Sequence, residues 1–143
     1  MGQVRTDAQG PETTRIRTRP LSPHLQVWRW HVTMAASILT RASGVALYVG
    51  LLIVVVGAVA LASSQGAYDT YTGIMGSILG KLVLFGLTVA IFYHLAAGIR
   101  HLVFDSGKGL APATANASAV FCIAFSVVAA LAAWGAYFAF GGY

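Results

Sequence analysis

Residues 44–62 read GVALYVGLLIVVVGAVALA. These 19 residues carry no charged side chain, and as a helix they would reach about 28 Å, close to the hydrocarbon thickness of a bilayer. A helix suits such a run in lipid, because it satisfies every backbone hydrogen bond within the segment itself. The rest of the chain agrees. Of 143 residues, 57% are hydrophobic and only 9% charged, against about 25% charged in an ordinary soluble domain. The expected class is all-α and integral to the membrane.

Working outward from that run, the first span is expected from about residue 34 to 62. Upstream, Trp28, Arg29 and Trp30 have the composition of an interfacial anchor, with rings and guanidinium at headgroup depth. Residues 1–20 are polar, contain Gly and Pro, and lack apolar periodicity, so they are expected to form a flexible tail. Their four arginines suggest a transit peptide, but Asp7 and Glu12 argue against one, since such peptides avoid acids. Downstream, residues 63–71 (SSQGAYDTY) read as a polar loop, 72–104 as a second span, 105–114 as a turn rich in Gly and Pro, and 115–140 as a third span. Residues 21–143 would thus form one membrane-anchor domain of three helices. The lone cysteine, Cys122, excludes an internal disulfide and any cysteine-held cluster. Inside an apolar run it reads as a small buried hydrophobe.

Arginines gather before and at the mouth of the first span, and Arg100 and Lys108 flank the exit of the second. The positive-inside rule then places the N-terminus in the cytoplasm, or in the matrix of an organelle. With no convincing transit peptide, a bacterial inner membrane is preferred over a mitochondrial one. The charge belongs at the membrane surface, and no nucleic-acid partner is expected.

Chemistry concentrates in His94-Leu-Ala-Ala-Gly-Ile-Arg-His-Leu-Val-Phe-Asp105. On a helix, positions 101 and 105 fall within about 20° of position 94, and Gly98 lies near the same face. An imidazole beside a glycine makes one wall of a slot for a flat cofactor between helices. His94 lies about 10 Å deeper than His101 at 1.5 Å per residue. It reads either as a histidine bonded to a neighbouring helix or as an axial ligand of a haem iron, the second ligand then coming from another subunit. Arg100, His101 and Asp105 read either as a solvated polar cap or as partners of haem propionates. Ser37 and Arg41, four residues apart, share a helix face. Together they could hydrogen-bond a carbonyl-bearing ligand at the membrane edge, or Arg41 could simply snorkel to the headgroups.

Two motifs carry a resemblance. One is His94, three residues, Gly98-Ile99-Arg100-His101, then Phe104-Asp105 and Gly107. The other is Arg19-Pro20-Leu21, Leu25, then Ser37-Ile38-Leu39-Thr40-Arg41-Ala42-Ser43-Gly44. In their order and spacing the chain resembles the cytochrome b556 membrane-anchor subunits of succinate dehydrogenase over about residues 19 to 141. One departure is Thr40, where the family usually has histidine.

The resemblance implies three transmembrane helices forming part of a heterodimeric bundle. His94 would be the axial ligand of a haem b shared with a second small anchor subunit, with His101, Arg100 and Asp105 around the cofactor. Ser37, Ile38 and Arg41 would help form a ubiquinone site against the iron–sulfur subunit, and a flavoprotein subunit would oxidise succinate. The family histidine at position 40 lies near a haem propionate, which leaves His101 or His31 to compensate here. The alternatives are the anchor of a quinol:fumarate reductase, a small proton-relay or transport subunit without haem, and a purely structural anchor.

Overall fold

The computed structural model describes residues 29–141, which form four helices and no strand: α1 (Val32–Ser63), α2 (Gln65–Gly76), α3 (Ile78–Asp105) and α4 (Pro112–Ala139). The tail expected at residues 1–20, together with His24 and Trp28, lies outside the described residues. Helices α1, α3 and α4 are each long and apolar enough to cross a membrane, so the chain is an all-helical membrane protein with three spans. α3 is central, packing on α1 along one side and on α4 along the other.

Small residues make this packing close. α1 turns Ala36, Ser43, Gly50 and Gly57 toward its neighbours, a seven-residue repeat that keeps one seam facing inward. α4 buries Ala119, Cys122, Ser126 and Ala130. Without a hydrophobic drive between helices in lipid, association rests on such close van der Waals contact. Tyr93, Ala96, Ala97 and Cys122 form the one clustered core among the described residues, and Cys122 is the small buried group its surroundings suggested. The large apolar side chains instead point outward, Leu51, Val54, Phe121 and Val128 among them. In water that surface would aggregate; in a membrane it meets lipid or partner helices.

The polar stretch 63–71, expected as a loop, belongs mostly to α2, and the second span begins at Ile78 instead of about residue 72. Two serines explain the difference. Ser64 is extended (φ −167°, ψ 158°) and its Oγ accepts the Ala67 N–H at 3.2 Å. Ser77 is likewise non-helical and its Oγ accepts the Gly80 N–H at 3.1 Å. Each satisfies an orphan donor at a helix start, so each ends one helix and opens the next. α2 then folds back on α1 through Tyr71, whose hydroxyl donates to the Ile53 carbonyl at 3.3 Å.

The turn between α3 and α4 is shorter than the composition suggested. Gly107, at φ 76°, ends α3: its N–H donates to the Phe104 carbonyl at 2.8 Å, and the Lys108 N–H to the Val103 carbonyl at 3.3 Å. That pair of bonds needs a left-handed residue, a conformation that glycine adopts without steric cost. Pro112 then starts α4 three residues before the expected residue 115, in the first turn, where its missing N–H costs nothing.

Candidate functional site around His94

The antiparallel course of α1 and α3 brings the N-terminal part of one beside the C-terminal part of the other. Two hydrogen bonds fix the junction. The Tyr93 hydroxyl donates to the Ala36 carbonyl at 2.9 Å in a buried contact, and His94 Nδ1 lies 3.0 Å from Ser43 Oγ. Ser37, Ile38, Arg41, His94, His101 and Asp105 therefore all belong to one end of the bundle, with Lys81 near the other end of α3.

His94 is half-buried between the two helices. Beside it α1 presents Gly44, where an added Cβ would stand 3.5 Å from the imidazole Cε1. Four residues on, Gly98 is exposed, and a Cβ there would meet nothing within 4 Å. The Nε2 atom has no hydrogen-bond partner among the described residues. A half-buried imidazole held at one nitrogen, with no partner for the other among the described residues, fits a histidine that binds a metal centre such as a haem iron through its second nitrogen. Among the described residues no three His, Cys, Asp or Glu side chains gather as a metal cage.

Ser37, Ile38 and Arg41 are all exposed near the start of α1, with Ile38 at 50%. Neither the serine hydroxyl nor the guanidinium has a partner among the described residues. Thr40 does not reach toward His94: its hydroxyl donates to the Ala36 carbonyl of its own helix at 2.8 Å. His31 is exposed, with Nδ1 3.2 Å from the Arg29 carbonyl. His101 is exposed and edge-on to Phe104, and Asp105 is exposed at the end of α3.

Arg100 goes elsewhere. Its Nε donates to Ser118 Oγ at 2.9 Å, its Nη2 to the Ala115 carbonyl at 3.0 Å, and its guanidinium sits 4.4 Å from the centre of the Phe104 ring. It ties the end of α3 to the start of α4, about 120° around α3 from His94. The sequence had suggested Arg100 for the cofactor's rim; its side chain is instead engaged on the other flank of the helix.

Three residues that sequence reasoning did not single out hold the site together. Ser43 meets His94, Tyr93 joins α3 to α1, and Ser118 anchors Arg100. Ser43 had one visible signal, its place seven residues after Ala36 and seven before Gly50 on the small-residue seam. Ser118 and Tyr93 had none, because a polar side chain in an apolar helix gains meaning only from what faces it.

Comparison with known proteins places the chain in a family. The model of the succinate dehydrogenase/fumarate reductase transmembrane subunit family matches residues 15–133. The succinate dehydrogenase cytochrome b556 subunit of Paracoccus denitrificans is 43% identical over 113 residues, covering 79% of this chain and 87% of that protein. The mitochondrial cytochrome b560 subunit of Sus scrofa is 34% identical over 118 residues, covering 79% and 68%. The cytochrome b556 subunit of Rickettsia felis is 31% identical over 117 residues, covering 81% and 90%.

Proposed function

The chain belongs to the succinate dehydrogenase/fumarate reductase transmembrane subunit family, and from that premise we propose that it is a haem b- and ubiquinone-binding membrane anchor of a succinate:quinone oxidoreductase. The observation that carries the reading is the state of His94, bonded at Nδ1 and without a partner at Nε2 among the described residues, at the same end of the bundle as the donors of Ser37 and Arg41.

His94 Nε2 would hold the haem iron on behalf of this chain. The other histidines described, His31 and His101, are exposed at the end of the bundle, and a second small anchor subunit would share in holding the group. Bound there, haem b supplies a reversible one-electron store. Gly44 faces His94 from α1 and Gly98 lies one turn along α3 from it, and His101 and Asp105 lie toward the rim. Arg100 serves the cofactor indirectly, by holding α4 against α3.

Ser37 and Arg41 would donate hydrogen bonds to one carbonyl oxygen of ubiquinone while Ile38 covers the ring. Donors meeting that oxygen favour the negative charge that builds on it as electrons arrive, and this lowers the barrier to reduction. The electrons come from succinate oxidation in a flavoprotein subunit by way of an iron–sulfur subunit. The chain's own part is to hold the quinone, the cofactor and the soluble subunits at one membrane face. By the distribution of arginines that face is toward the cytoplasm, or the matrix of an organelle, with a bacterial inner membrane preferred.

The test is a reduced-minus-oxidised absorbance spectrum of the purified complex. His94→Ala should abolish or strongly diminish the b-type band, and an unchanged band would refute the ligand assignment. A proton-relay subunit would show no such band in the wild type.

A further inference from the structure

We propose that Ser43 is the positioning residue that decides which nitrogen of His94 is presented to the iron, an inference that rests on reading His94 as the axial ligand. Ser43 has a single hydroxyl proton, and α1 offers it an acceptor: the Thr40 carbonyl, which can only accept, lies 2.9 Å from Oγ. The same oxygen lies 3.0 Å from His94 Nδ1. With its proton directed at Thr40, the oxygen can meet the ring only as an acceptor. Nδ1 therefore carries the hydrogen. A neutral imidazole has one N–H and one lone pair, so the lone pair falls on Nε2.

Three features make the assignment firm. Ser43 is 7% exposed, so water does not compete for its lone pairs. Tyr93, next to His94 on α3, is tied to α1 by its bond to the Ala36 carbonyl at 2.9 Å, which limits the ring's movement relative to α1. The bonds also run in one direction, from His94 Nδ1–H to Ser43 Oγ–H to the Thr40 carbonyl, and donors in series polarise one another. Position 40 enters through its main chain alone, while its side chain bonds to Ala36. A threonine there serves the relay as well as a histidine would.

The electronic consequence has a sign. A hydrogen bond from Nδ1–H makes the opposite nitrogen a stronger donor. A stronger donor favours the ferric state, so loss of the Ser43 acceptor shifts the couple toward the ferrous state. Ser43 thus tunes the potential without touching the cofactor.

The experiment compares Ser43→Ala, Ser43→Thr and Ser126→Ala in the intact purified complex. Ser126 is the matched control: 2% exposed, it donates to the Ile123 carbonyl at 2.8 Å and does not touch His94. Ser43→Ala should keep a b-type band, because His94 remains. Its ferrous-to-ferric ratio at a fixed potential should rise severalfold, with about tenfold (~59 mV for one electron) as the upper end. The low-field g value of the ferric haem should move with it, and haem loss to an apoprotein acceptor should accelerate by about 10- to 100-fold. Ser43→Thr should stay within about twofold of wild type, since a threonine Oγ1 in a helix makes the same back-bond. Wild-type potential and g values in Ser43→Ala would overturn the proposal. So would an equal shift in Ser43→Thr or Ser126→Ala, which would report packing and not the hydrogen bond. A wild-type complex without a b-type band, or a His94→Ala complex that keeps it, would instead overturn the ligand assignment and the inference with it.

Discussion

The Tyr93 hydroxyl donates to the Ala36 carbonyl at 2.9 Å across 57 residues of sequence, one position before His94 on α3. Tyr93 is 5% exposed, so this bond and the ring's packing both set the rotation of α3 against α1. Tyr93→Phe should cost about 0.6–1.5 kcal/mol, the range for one buried hydrogen bond in a membrane protein. Tyr93→Ala should cost about 3–5 kcal/mol through the cavity it leaves. Thermal unfolding in detergent would rank the two, and equal midpoints would show that the ring contributes nothing beyond its hydroxyl.

Gly57 and Gly66 make a contrasting pair. A Cβ at Gly57 would stand 2.6 Å from Tyr71 Cζ, whereas one at Gly66 would meet nothing within 4 Å. Gly57→Ala should push Tyr71 aside, break its bond to Ile53 and cost about 1–3 kcal/mol. Gly66→Ala should be neutral or stabilise α2 by up to about 1 kcal/mol, the difference in helix propensity. The same melt reads both, and opposite signs are the expected outcome.

Arg100 and Ser118 should be coupled. Arg100→Gln leaves Ser118 without the guanidinium, and Arg100→Lys cannot restore a fork that reaches Ser118 and the Ala115 carbonyl together. Each substitution should lower stability by about 1–2 kcal/mol, within the range for hydrogen bonds to charged groups once partial exposure is discounted. A double-mutant cycle with Ser118→Ala should show non-additivity of at least about 0.5 kcal/mol. Strict additivity would mean the two side chains act independently.

Arg41→Ala should separate the two half-reactions of the complex. Quinone reduction should fall on the order of 100-fold, the lower end for loss of a preorganised donor. Succinate oxidation by an artificial acceptor should stay within about twofold, because on the proposed function succinate is oxidised in another subunit, away from the quinone. Parallel loss of both activities would place Arg41 in assembly instead of at the quinone.

Much of the fold could be read from local chemistry. The apolar run at 44–62 required a span, Gly107 and Pro112 punctuated α3 and α4, and the two motifs pointed to one end of the bundle. The helical break before the second span was less legible, because the polar composition of 63–71 suggested a loop while Ser64 and Ser77, the two caps, looked like ordinary loop serines.

By itself, the sequence determined the class, the number of spans, the charged end of the bundle and His94 as the residue to watch. These follow from hydropathy, helix length and charge, which are properties of each segment alone. Only the tertiary structure decided that Ser43 meets His94, that Tyr93 locks α3 to Ala36, and that Arg100 turns to α4 and away from the His94 face. Those outcomes depend on the rotational phase of one helix against another. That phase is set where Ala36, Ser43, Gly50 and Gly57 let the backbones approach, a relation between segments that neither segment encodes alone.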